Sequence, residues 1–193
     1  STVATESSIL RVAQEISTTG DLAGFSTQEI VGLSGALASL AIQPELARGS
    51  MMRIFNAITV SIEESGESLN TLAQLSGMTA SEFKQNWANS AGETFQSLLS
   101  GMNGVIEQGG NLGSTLKDIG ITAGRDKQVM ERLANNMDLV SQSMDTASNG
   151  WASGTATADA YAKVADNVEA KVQMLKNAMA GLMDSMSNNT SIK

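Results

Sequence analysis

Residues that could do chemistry are few in this chain, and their spacing is unfavourable for catalysis. The sequence contains no His and no Cys, which removes the commonest general base, the thiol nucleophile and Cys-ligated zinc. Glu63 and Glu64 are a pair of adjacent carboxylates. Acid–base catalysis needs two carboxyl groups that face each other, and adjacent residues on one helix do not. We therefore interpret this pair as part of a solvated face.

The other candidate patterns are equally incomplete. The glycines between residues 101 and 113 form neither G-x-x-x-x-G-K-[ST] nor G-x-G-x-x-G after a strand, so they do not indicate a phosphate loop. Asp118 and Asp126 lack the spacing of a calcium-binding loop. Trp87 and Trp151 are interpreted as packing residues. The sequence thus predicts no catalytic, cofactor-binding or metal site, and we expect the protein not to be an enzyme.

Charge argues against nucleic acid as a direct partner. Twelve basic and twenty acidic residues give a net charge of −8, whereas a protein that binds the phosphate backbone needs a basic patch. The densest basic stretch, Arg125, Lys127 and Arg132, is interleaved with Asp126 and Glu131. We expect no direct nucleic-acid binding.

Composition and hydrophobic spacing predict an all-α fold. Aromatic residues make up 4% of the 193 residues and Met is frequent at 11, which predicts a core of many small aliphatic contacts. Pro44 is the single proline, and no run alternates apolar with polar residues as a strand would. The most apolar segment, Ile30–Ile42, is too short to span a bilayer. We therefore expect an array of short amphipathic helices without a membrane span.

Local signals indicate where these helices begin and end. Capping boxes are predicted at Ser26 with Glu29 and at Thr79 with Glu82, and Pro44 suits the first turn of a helix. The stretch from Gly20 to Gly24 is expected to break the first helix. A later amphipathic run from Val129 to Met144 is expected to end near Asn149-Gly150.

The last segment differs from the others because its apolar positions form a narrow seam. From Tyr161 onward these positions are spaced 3, 4, 4, 3, 4, 3 and 4 residues apart, which is typical of a coiled coil. The candidate self-association seam consists of Val164, Val168, Val172, Leu175, Met179, Leu182 and Met186. We expect a homo-oligomer, although the same spacing also fits a helix packed along its own chain.

Three regions follow from these patterns. Residues 1–25 form an N-terminal helix and linker, residues 26–150 a multi-helix core, and residues 151–193 a long C-terminal helix. Because the seam runs almost to Lys193 without a strong stop signal, we expect the helix to continue into further sequence, as part of a longer protein.

The order of several short motifs resembles the core domain of phage tail tape measure proteins. The resemblance spans roughly residues 26–185, and its specificity lies in the order and spacing of the motifs. They are Ser76-Gly77-Met78-Thr79 with Glu82-Phe83, Phe95 with Leu98-Leu99 and Gly101-Met102, Leu116-Lys117-Asp118-Ile119-Gly120-Ile121, Arg125 with Leu133-Ala134, Ser148-Asn149-Gly150, and Leu175-Lys176-Asn177. The Asn-rich stretch around Trp87 departs from the family pattern.

The resemblance implies a structural protein of the virion. Such proteins lie in the lumen of a long tail, and during assembly they are in the host cytoplasm. They template the tail tube, set its length and are expelled before the DNA. Their implied partners are the tail tube protein, tail assembly chaperones and tail-tip proteins. The alternative is a soluble helical adaptor or scaffold module of a secretion or cell-envelope system, which would bind a partner helix through the same apolar stripes.

Overall fold

The structure is a computed structural model that describes residues 5–162, with the side chains of residue 6 and residues 152–162 left aside. The chain is all-α, and this range contains no strand. Its helices are α1 (Glu6–Leu22), α2 (Thr27–Ser39), α3 (Pro44–Glu64), α4 (Glu67–Leu75), α5 (Ala80–Asn89), α6 (Ala91–Glu107), α7 (Leu112–Asp118), α8 (Gly124–Ala134) and α9 (Met137–Ala162).

Helix α2 is the central element, and it is buried on every side. Eight consecutive residues, Ile30–Leu37, are buried, as expected of a helix enclosed by others rather than lying on a surface. Helices α1 and α9 both pack against it. The approach of α9 is close at Gly32, where an added Cβ would lie 2.6 Å from the Cα of Met144. The small residues of α2 therefore allow two neighbouring helices to come near.

The predicted capping boxes are confirmed. The amide and the hydroxyl of Ser26 donate to Glu29 Oε2 at 2.7 and 2.8 Å, and those of Thr79 donate to Glu82 Oε2 at 2.8 Å each. These two bonds from Thr79 hold the pKa of Glu82 below its ordinary value. Pro44 is confirmed in the first turn of α3. Each cap satisfies amides that the first turn of a helix leaves unpaired.

One expected helix end is confirmed and one is wrong. Helix α1 ends at Leu22, within the stretch from Gly20 to Gly24 that was expected to break it, and Gly24 adopts φ +90° just after that end. The run expected from Val129 to Asn149-Gly150 is two helices, α8 and α9, divided at residues 135–136. Helix α9 then passes through Asn149-Gly150 without a break, although neither residue is buried.

Five of the seven aromatic residues gather in one cluster, which the expected core of small aliphatic contacts did not include. The rings of Phe25 and Phe55 lie 4.7 Å apart between centroids. Phe95 lies edge-on to both, at 5.9 and 5.6 Å. The ring centroid of Trp87 lies 6.1 Å from that of Phe25 and 6.4 Å from that of Phe55. Phe83 stacks on Trp87 at 6.0 Å. All four Phe residues and Trp87 thus join α3, α5 and α6 to the start of α2.

Candidate functional site

The candidate self-association seam lies outside the described residues. Val164, Val168, Val172, Leu175, Met179, Leu182 and Met186 all follow Ala162, the last residue of α9 in the described range. The seam therefore stays a prediction. The functional features that follow come from residues 5–162 alone.

The paired carboxylates considered above lie at the surface. Glu63 and Glu64 are both exposed in the last turn of α3, as the solvated-face interpretation predicted. Within the described residues, no group of three or more Asp, Glu, His or Cys side chains is placed to hold a metal ion. No helix in the same range is long and apolar enough to cross a membrane.

The basic stretch of α8 is engaged in fixing other elements. Lys127 Nζ donates to the carbonyl of Gly113 at 2.7 Å, across the connection from α7. Arg132 Nη2 donates to the carbonyl of Leu40, where α2 ends, so it satisfies a carbonyl that the helix end leaves unpaired. These two side chains tie α8 to α7 and to α2.

One ion pair has a buried member, and sequence reasoning missed it. Arg53 of α3 meets Asp126 of α8 in a fork of two hydrogen bonds, Nε to Oδ2 and Nη2 to Oδ1, each 2.7 Å. The Asp126 side chain is 3% exposed, whereas that of Arg53 is 49% exposed. Bidentate Arg–carboxylate pairs are short and geometrically specific. This pair therefore fixes the start of α8 against the middle of α3.

The surroundings of Asp126 keep it ionised. Burial raises the pKa of Asp126, but the hydrogen bond from Arg53, the nearby Ser50 hydroxyl and the charge of Arg53 together lower it below the ordinary value. The same hydrogen bond raises the pKa of Arg53. The buried Ser50 Oγ makes no hydrogen bond of ordinary geometry, so its effect on Asp126 is that of a nearby dipole.

A groove runs along α3 beside this pair. It has a volume of about 580 Å³ and lies between α3 and the connection from α7 to α8. Two neighbouring rows of α3 side chains, each spaced four residues apart, form one wall: Met52, Asn56, Val60 and Glu64, and Arg53, Ala57 and Ser61. The opposite wall consists of residues 119–123 and Asp126.

The connection from α7 to α8 has a sharp turn that shapes the opposite wall. Gly120 adopts φ +84°, a left-handed conformation that side chains disfavour. The turn places Ile119 and Ile121 inward, with 1% and 3% exposure. Ser68 of α4 donates to the carbonyl of Asp118 at 2.8 Å, so α4 holds the end of α7 in position. The turn at Gly120 and the hydrogen bond from Ser68 thus hold the opposite wall of the groove in position.

Part of the groove was foreseeable from sequence and part was not. Met52 and Val60 fall between the buried positions of the α3 stripe, so the helical period already places them on another face. The sequence contains no signal that pairs Arg53 with Asp126, which are 73 residues apart. The groove includes that pair, with Arg53 on the α3 wall and Asp126 on the opposite wall.

Comparisons of the chain with protein-family models, with curated proteins and with solved structures gave no match.

Proposed function

We propose that this chain is a domain of a phage tail tape measure protein. It acts as a structural protein in the tail lumen, helps to template the tail tube and contributes to tail length. It enters the tail from the host cytoplasm during assembly and leaves before the DNA. The proposal rests on the order and spacing of the motifs that resemble that family.

One structural observation supports the proposal more than any other. The resembling motifs between Ser76 and Ile121 fall on consecutive caps, corners and buried stripes of a single helical body. They include the cap of α5, the buried stripe of α6 and the corner after α7. Motifs with such roles define packing and connection, which suits a protein whose task is assembly.

The length of the tail provides the test. In-frame insertion of about 100 helix-forming residues into the parent gene, beside this domain, is expected to lengthen the tail by roughly 150 Å, at about 1.5 Å per helical residue. Electron micrographs of the assembled tails measure the change, and an in-frame deletion of equal size should shorten the tail by the same amount. Tails of unchanged length in both variants would contradict a role in setting tail length.

The groove beside α3 favours a second candidate, the helical adaptor of a secretion or cell-envelope system. An adaptor uses such a surface to hold a helix of its partner. Gene neighbours separate the two functions: tail tube and tail chaperone genes would support the tape measure protein, and secretion genes would support the adaptor.

A further inference from the structure

Large apolar side chains are exposed along the groove beside α3. Met52 is 52% exposed and Val60 37% exposed, and both line the groove. Leu22, at 83%, is the other large hydrophobic residue exposed in the described part of the chain. Two of these three residues therefore lie on one groove, where covering them removes apolar surface from water.

The shape of the α3 wall fits a helix. Met52, Asn56, Val60 and Glu64 follow one another at intervals of four residues, and such rows form the ridges that interlock when two helices pack. From Met52 to Glu64 the ridge spans twelve residues, or about 18 Å at roughly 1.5 Å per residue. A helix of about three turns matches that length. The exposed wall does not enclose a small molecule on most sides, as a ligand pocket usually does.

One end of the groove is acidic, and its charges are unfavourably placed within the chain itself. Glu63 and Glu64 occupy the last turn of α3, which contains no basic residue, although the C-terminal end of a helix carries partial negative charge and favours cations. Exposed Glu67 follows directly. None of these three carboxylates belongs to an ion pair among the described residues.

The other end of the groove has no comparable excess of charge. There Arg53 and Asp126 neutralise each other in their two hydrogen bonds. The groove thus has apolar side chains in the middle and uncompensated negative charge at the end formed by Glu64. A binding partner that complements it needs apolar residues followed by a cationic end.

We propose that this groove binds an amphipathic helix of a separate, basic protein. The apolar face of that helix covers Met52 and Val60, and its Lys or Arg side chains meet Glu64 and its acidic neighbours. A second copy of this chain is a poor occupant, because its net charge of −8 brings like charges to the acidic end. The inference rests on the groove alone and not on the proposed tail function, and it names the partner chemistry that the second candidate function would require.

Binding of a defined peptide tests the proposal. The probe is a synthetic peptide of about 16 residues with Leu at helical spacing and Lys in the last two turns. Two control peptides have Glu in place of Lys, or the same composition in scrambled order. In the protein labelled with ¹³C-methyl methionine, the Met52 signal, assigned with Met52→Leu, is expected to shift with the Lys peptide. Fluorescence anisotropy is expected to give about tenfold weaker binding for either control peptide.

Exchanging the charge at the groove separates specific docking from general attraction to an acidic protein. Glu64→Lys is expected to weaken binding of the Lys peptide and to strengthen binding of the Glu peptide. Val60→Asp is expected to weaken binding of both peptides about tenfold. Leu22→Asp is the matched control, because it adds a charge at an exposed apolar residue that does not line the groove, and it should leave affinity unchanged. All three positions are exposed, and thermal unfolding checks that each variant stays folded.

Two results would overturn the inference. In the first, the Lys peptide binds equally well to the wild-type protein, Val60→Asp and Glu64→Lys, or leaves the Met52 signal unmoved. In the second, light scattering without peptide shows that Val60→Asp has a lower mass than the wild-type protein. That result would mean that a second copy of the chain occupies the groove in the wild-type protein.

Discussion

At the scale of single residues, the contact between Arg53 and Asp126 has the clearest energetic consequence. The other two ion pairs of the described residues, Arg11 with Glu45 and Arg48 with Glu15, join exposed side chains, and such pairs contribute little to stability. Asp126 is buried, so removal of its partner leaves a desolvated carboxylate without compensation. Half of the Arg53 side chain remains exposed. Solvent therefore screens the pair, and the loss of stability on removing Arg53 is smaller than for a fully buried pair.

Replacement of Arg53 by Met is expected to lower the free energy of unfolding at pH 7 by about 2 kcal/mol, the usual contribution of a hydrogen bond to a charged group. Urea unfolding at constant slope measures the loss. Asp126→Asn and the double variant complete a mutant cycle that isolates the pair. Equal losses in the single and double variants would indicate strong coupling, whereas strictly additive losses would contradict it.

The same pair determines a pH dependence with a definite sign. The folded-state pKa of Asp126 is below its ordinary value, so its stabilisation is fully present above the unfolded pKa of about 3.9. That stabilisation is lost as pH falls through the folded pKa. The difference in unfolding free energy between the wild-type protein and Arg53→Met should therefore be largest near neutral pH. It should shrink on acidification, because burial without Arg53 makes Asp126 of the variant take up its proton at higher pH than Asp126 of the wild-type protein. A difference that grows on acidification would contradict the assignment.

At the scale of elements, close approach of helices is a recurring feature of this fold. Helix α6 meets the end of α4 at Gly101, where an added Cβ would lie 1.5 Å from the backbone oxygen of Leu75. Backbone atoms cannot swing aside as a flexible side chain can. Glycine at this position therefore sets the distance between α4 and α6, in the same way that Gly32 sets the distance between α2 and α9.

Gly101→Ala is accordingly expected to destabilise the protein by at least about 3 kcal/mol, the upper part of the range for overpacking. Gly104, three residues along the same helix, has no atom within 4 Å of an added Cβ. Gly104→Ala is the matched control and should stabilise the protein by about 0.5 to 1 kcal/mol through helix propensity. Thermal or urea unfolding compares the two variants. Similar stabilities would show that α4 and α6 can separate without cost.

At the scale of the whole molecule, the predicted self-association seam lies beyond the described helical body. The described core joins α1 to α9 in one buried cluster, while the candidate seam lies after it in sequence. Val168→Asp with Leu175→Asp is expected to lower the oligomeric mass of the protein, because the two charges would lie in an apolar contact between copies. Light scattering measures the mass.

A matched control keeps the added charge and changes only its position. Asn167→Asp with Gln173→Asp introduces the same two charges at polar positions off the seam, and this variant should retain the mass of the wild-type protein. A mass that is unchanged by the seam substitutions would mean that the seam packs against its own chain.

The sequence by itself determined the helical class and the starts of α2, α3 and α5, because these starts depend on atoms within four residues of each other. The caps of α2 and α5 are bonds between residues three apart, and Pro44 acts on its own turn. Only the tertiary structure decided features that join distant segments. Arg53 with Asp126, the aromatic cluster and the groove depend on which helices are neighbours. The continuation of α9 through Asn149-Gly150 was not foreseeable either, because Asn and Gly are weak helix formers and neither residue is buried.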